Sequence, residues 1–185
     1  GMNVSSKSIE EGDGNYRLIK LSDVQEGQLR LEQLTRVSLK RKSHIEKYLV
    51  ETGDVIISNR GHSIKIAVVP EHEGDIILSH NFIGIRASNR LDPYYLKAFL
   101  ESPLGMYYLT KNQVGTNILT INPKDLKDIP IKLLEINEQQ ELGQSFLRVE
   151  QEYIEKIKQA ESERTDQILK LYEKMGIRNS FEMKN

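Results

Sequence analysis

The spacing of apolar residues divides the chain into two regimes. Between Tyr16 and about Glu135 they come in short runs broken by Gly, Asn, Asp and Pro. Val55–Ser58, a β-branched run after Gly53-Asp54, predicts a strand following a turn. Ile64, Ile66 and Val68 alternate with Lys65 and Ala67 and predict its partner strand, with Asn59-Arg60-Gly61 as the connecting turn. Asp75–Leu78 and Phe82–Arg86 repeat the theme around Ser79-His80-Asn81. The period then lengthens to that of a helix. Asp92-Pro93 supplies an N-cap and a proline at the first helical position, and Tyr95, Leu96, Phe99 and Leu100 fall on one face. Pro103 restarts the chain, Met106, Tyr107 and Leu109 suit a second short helix, and Asn122-Pro123 opens a third of a turn or two. Residues 1–15 are polar with little periodicity and read as a flexible arm.

From Leu142 onward the pattern is purely helical. Leu142, Phe146, Val149, Tyr153, Ile157, Ala160, Arg164, Ile168, Leu171 and Met175 recur at steps of three and four. They form an 11-residue repeat in which Arg164 takes one apolar slot. Eleven residues over three turns is about 3.67 per turn, close to the α-helix's own period, so the stripe keeps to one face with little supercoil. Asn137 is the expected N-cap and Gly176 the expected C-terminal stop. A helix of about 39 residues is roughly 58 Å long at ~1.5 Å per residue. A domain of this size does not cover such a rod, so part of the stripe needs a partner. The expected fold is therefore α+β. A small mixed or antiparallel sheet domain with short helices (16–135) is followed by a long C-terminal helix (136–176) and a tail (177–185).

Composition narrows the function. The 185 residues carry 26 Lys+Arg against 27 Asp+Glu, which excludes a histone-like polycation and an acidic tail protein. The charge is uneven: residues 17–70 hold ten basic and six acidic side chains, residues 137–175 six and nine. The positive end suits a polyanion. With no Cys there is no disulfide framework, cysteine zinc site or thiol nucleophile. No apolar run approaches the roughly 20 residues of a membrane span, and no signal peptide opens the chain, so no membrane partner and a cytoplasmic location are expected. Gly1 ahead of Met2 reads as a remnant of tag cleavage.

Catalytic chemistry finds little purchase. Asp92-Pro93-Tyr94-Tyr95 resembles the Asp/Asn-Pro-Pro-Tyr tetrapeptide of amino-methyltransferases, but lacks its second Pro and a Gly-rich turn to hold a methyl donor. Its place at a helix start is explained by capping. His44, His62, His72 and His80 are scattered without metal-ligand spacing. Asp13, Asp54 and Asp75 with nearby lysines leave a metal-dependent nuclease as a remote alternative. A helical scaffold that binds no DNA is the other. The stronger candidates bind: Arg36, Lys40, Arg41 and Lys42 form a basic cluster, Arg60 and Lys65 flank a strand turn, and Lys111, Thr116 and Asn117 belong to a polar loop around Gly115. Arg, Lys and Asn are side chains that grip phosphates and read base edges.

A series of motifs then resembles one family, the specificity (S) subunit of type I restriction–modification systems. Tyr16–Val24 is similar to its opening segment, Gly53–Gly61 to its strand-turn signature, and Tyr94–Ser102 to its mid-domain helix. Gly115-Thr116, Ile121–Leu126 and Ile129-Pro130-Ile131 are similar to the close of its recognition domain, and Glu138-Gln139-Gln140 to the start of its long helix. The resemblance implies a non-enzymatic subunit whose recognition domain reads one part of a split site in double-stranded DNA. Its helix would set the spacing and dock the methyltransferase (modification) subunits. S-adenosylmethionine would belong to that partner, so no cofactor is expected here, and a restriction subunit is a further partner. A full S subunit has two domains and two helices; this chain has one of each, as a natural half, half of a divided gene, or an excised piece. A homodimer, or a pair with a sister half, is then expected through Leu142, Phe146, Val149, Tyr153, Ile157, Ile168 and Leu171.

Overall fold

The computed structural model describes residues 1–2, 9–40, 45–111 and 118–177. Its strands are β1 (Ile9–Ile19), β2 (Val24–Gln25), β3 (Gln28–Leu29), β4 (Thr35–Leu39), β5 (Val55–Ser58), β6 (Arg60–Gly61), β7 (Ile66–Val68), β8 (Ile76–Leu78), β9 (Phe82–Ile85) and β10 (Leu119–Thr120). The helices are α1 (Pro93–Glu101), α2 (Pro103–Thr110), α3 (Pro123–Lys127) and α4 (Ile136–Lys174). An α+β unit thus precedes one long helix, as the pattern predicts. The chain divides into two compact units, Gly1–Phe146 and the residues from Leu147 onward.

Two three-stranded sheets organise the first unit. In one, β1 pairs antiparallel with β4 and parallel with β8; in the other, β5 pairs antiparallel with β7 and with β9. The two-residue periodicity of strands sorts their side chains into layers. Ile19, Ile76 and Leu78 of the first sheet meet Ile56, Ala67 and Phe82 of the second in one cluster. Leu18, Val37 and Ile77 point the other way, where Met2, Ile9 and Ile45 cover them. Val55, Ile57, Ile66 and Val68 turn from the second sheet toward Leu96, Leu100, Leu109 and Ile121 of the helical layer. Both faces of both sheets are therefore covered, which explains why Val55–Ser58 and Ile76–Leu78 are buried at every position.

Three local expectations differ. The arm expected over 1–15 contains most of β1, and Met2 is buried with its N–H bonded to the Leu78 carbonyl. Ile9 anchors the strand in the core, a single apolar residue too isolated to give a periodic signal. Consecutive β8 and β9 are not hairpin partners but belong to different sheets. Arg60–Gly61, expected as a turn, is a short strand antiparallel to β10.

The helix ends follow their capping residues. Asp92 Oδ1 accepts from the Tyr95 N–H (2.9 Å), Ser102 Oγ from Gly105 (3.1 Å) and Asn122 Oδ1 from Lys124 (3.0 Å), each with proline next in sequence. Helix α4 begins at Ile136, one residue before the expected cap. It stops in a Schellman motif: Gly176 at φ 70° donates to the Glu173 carbonyl (3.0 Å) and Ile177 to that of Tyr172 (2.9 Å).

Candidate nucleic-acid interface

The basic residues fall in several places on the first unit. Arg36 and Lys40 are exposed on and just after β4, alternating with buried Val37. Arg36 sits opposite Arg17 of β1 in the ladder. Like charges directly opposite across strands destabilise each other, so this pairing favours an anion nearby. Arg17 escapes part of the strain by donating to the Glu73 carbonyl.

A second group converges on Asn59. Its N–H donates to the Asn81 carbonyl (2.9 Å), its side-chain amide to that of His80 (2.6 Å), and its own carbonyl accepts from Ile121 (2.8 Å). Exposed Arg60 follows and pairs with Thr120, while Gly61 pairs with Leu119. Residues from three distant stretches, near 60, 80 and 120, thereby meet at one rim. Exposed Lys111, at the C-cap of α2, places its ammonium over the Tyr108 ring at 5.1 Å. Arg41, Lys42, Thr116 and Asn117 lie outside the described residues.

Lys65 is placed differently from the rest. Its ammonium donates to the carbonyls of Leu21 (2.8 Å) and Val24 (2.7 Å), tying the approach to β7 to the turn after β1. Those bonds occupy two of its three donors inside the domain. Arg17, His80 and Asn81 were not singled out by residue type; strand register and the Asn59 bonds bring them into view.

Other polar groups hold the frame. Asp54 accepts from the Glu51 N–H (2.9 Å) and from Arg86 through both oxygens (2.8 Å each). The Asp54 hydrogen bond raises the Arg86 guanidinium pKa above its usual value, against some desolvation. Asp92, within the methyltransferase-like tetrapeptide, spends its carboxylate on the cap of α1. Among the described residues no three His, Cys, Asp or Glu side chains are grouped to hold a metal ion. None of the described helices is long and apolar enough to cross a membrane.

On α4 the apolar stripe is open over much of its length. Leu142, Val149, Tyr153, Ile157 and Leu171 are exposed, Val149 by 64% and Tyr153 by 62%, while Phe146 and Ile168 are half-buried.

Comparison with known proteins fits this architecture. The family described as "Type I restriction modification DNA specificity domain" matches residues 2–162. The chain belongs to this family. Among curated members it is similar to the type I restriction enzyme EcoBI specificity subunit of Escherichia coli, at 29% identity over 153 residues, covering 77% of this chain and 30% of that subunit. Two solved structures share the fold. One, described as "Structural basis underlying complex assembly and conformational transition of the type I R-M system", has a chain with TM-score 0.63 at 18% identity, covering 92% of this chain and 40% of that one. The other, the HsdS subunit from Thermoanaerobacter tengcongensis, gives 0.56 at 19%, covering 86% and 36%. This specificity-domain chain therefore spans less than half the length of the relatives it matches.

Proposed function

We propose that this chain is the DNA-recognition half of a type I restriction–modification specificity subunit. The observation that carries the reading is the specificity-domain match, which runs through the sheet unit and on into α4 as one span. Arg36, Lys40, Arg60 and Lys111, exposed on the first unit, are the phosphate and base contacts among the described residues; Arg41, Lys42, Thr116 and Asn117 complete the set. Lys65, held by two carbonyls, acts on DNA only through the frame. The stripe on α4 pairs with a second copy or a sister half and docks the methyltransferase subunit, which brings S-adenosylmethionine; a restriction subunit joins that assembly. A symmetric pair reads two inverted half-sites. With a net charge of -1, the chain leaves much of the grip on DNA to its partner.

The test is selection of bound duplexes from a random pool by the chain together with its methyltransferase subunit. Enrichment of one split sequence is expected. Arg60→Ala should then lower affinity and reduce the slope of log affinity against log salt by about one. No enrichment with the methyltransferase present, or metal-dependent cleavage by the chain alone, overturns the reading.

A further inference from the structure

Gln139 is fully buried (0% exposed) at the first turn of α4, in the unit Gly1–Phe146. A primary amide is tolerated there only when its donors and acceptor are met. They are: the side-chain nitrogen donates to the carbonyls of Arg90 (3.0 Å) and Leu134 (2.8 Å), and Oε1 accepts from the Asp92 N–H (3.0 Å). Those partners are the residues leading into α1 and into α4.

One turn on, Gly143 leaves no room for a side chain. A Cβ there would stand 2.6 Å from Asp92 Oδ1 and 2.9 Å from both Tyr94 Cβ and the Tyr95 nitrogen. The first of these atoms is not free to move, since the same Oδ1 caps α1 through Tyr95. At the next turn the Phe146 ring lies 4.9 Å from the ammonium of buried Lys97, which is paired with Glu101 at 2.6 Å. Residues 139, 143 and 146 share one helical face.

Ordinary packing does not call for this combination. A leucine would fill a core position without needing hydrogen-bond partners, and alanine would be a better helix former than glycine by about 1 kcal/mol. A directional polar plug beside a backbone-close contact instead defines one rotation and one axial position of the helix.

We propose that Gln139 and Gly143 are positioning residues that lock the first three turns of α4 to the N-terminal end of α1 in a single rotation and register. Asp92 serves both helices at once, capping α1 with its carboxylate and donating its N–H to Gln139 Oε1. The bearing of this lock on the spacing between half-sites rests on the proposed function; the lock itself does not.

The chain has no cysteine, so spin labels can be placed cleanly at Asp75→Cys and Gln144→Cys, both exposed and both within the first unit. Intramolecular distances are read by pulsed electron resonance after dilution with unlabelled chain. Gln139→Ala and, separately, Gly143→Ala should shift or broaden the distance distribution as detached conformers become populated. Val37→Ala, a cavity in the core cluster that contains no residue of α1 or α4, should lower the melting temperature and leave the distribution unchanged. Folded Gln139→Ala chain with the parent distribution overturns the proposal, and this variant decides alone if Gly143→Ala does not fold. A broadened distribution in a chain that enriches no DNA supports the lock and sinks the functional reading. An unchanged distribution in a chain that does enrich DNA does the reverse.

Discussion

Burial pushes the Tyr94 hydroxyl above its ordinary pKa of 10.0, and the nearby Asp92 carboxylate adds to the shift. The unfolded chain therefore gives up this proton more readily than the folded one. Stability should be insensitive to this group below pH 10.0 and fall as pH rises beyond it. Tyr94→Phe should flatten that decline in melting temperature measured across the alkaline range. Tyr94 also borders Gly143, so the same residue senses both solvent and the packing of α4. At this scale residue type was a partial guide. Asp92 and Asn122 cap as their sequence contexts predict, because a cap is decided within four residues, and the structure adds Ser102 as the cap ahead of Pro103. Lys65 counted as a DNA contact by type, and only the fold supplies the two carbonyls that take its ammonium. Gly143 did carry a signal, as the one glycine inside a long helical pattern, but what it approaches is 48 to 51 residues away in sequence.

The long helix was the most legible element, since its 11-residue repeat returns three times between Leu142 and Met175 and needs no tertiary information. Its apolar stripe gives the proposed pairing a direct test. Replacing Ile157 and Ile168 together with Asp should abolish self-association in light scattering, from about twice 21.3 kDa to 21.3 kDa. The melting transition of the first unit should stay where it is, because neither residue belongs to it. The strands were legible in proportion to length and burial. Val55–Ser58 stood out as a β-branched run, whereas β6 and β10, with two residues each, are too short to display a period. Pairing was the hidden part: nothing local in Ile76–Leu78 tells that it lies parallel to β1 rather than against β9.

For the molecule as a whole, the division expected near residue 135 and the compact unit ending at Phe146 lead to different truncations. A chain ending at Phe146 retains Gln139, Gly143 and the ring beneath Lys97, and should melt cooperatively as a monomer. A chain ending at Glu135 loses that packing and should be destabilised by on the order of 2 kcal/mol, the scale of one large buried side chain. Denaturant titration of the two fragments checks this; equal midpoints would mean the first turns of α4 add nothing to the unit. The family assignment was legible from the order of several soft motifs, although none alone is specific, and the placement of residues 1–15 was not, because two isolated apolar residues, Met2 and Ile9, decide it.

The ladder between β6 and β10 has one more consequence. Every bond that joins Asn59, Asn81 and Ile121, and the pairing of Arg60–Gly61 with Leu119–Thr120, includes main-chain atoms that are the same whatever the side chain. The stretch between Lys111 and Ile118 is thus bounded by a helix end and by a clamp indifferent to spelling. New letters written into that stretch leave its moorings intact. A frame of this kind lets the lettering between its posts be rewritten while the posts stay paired.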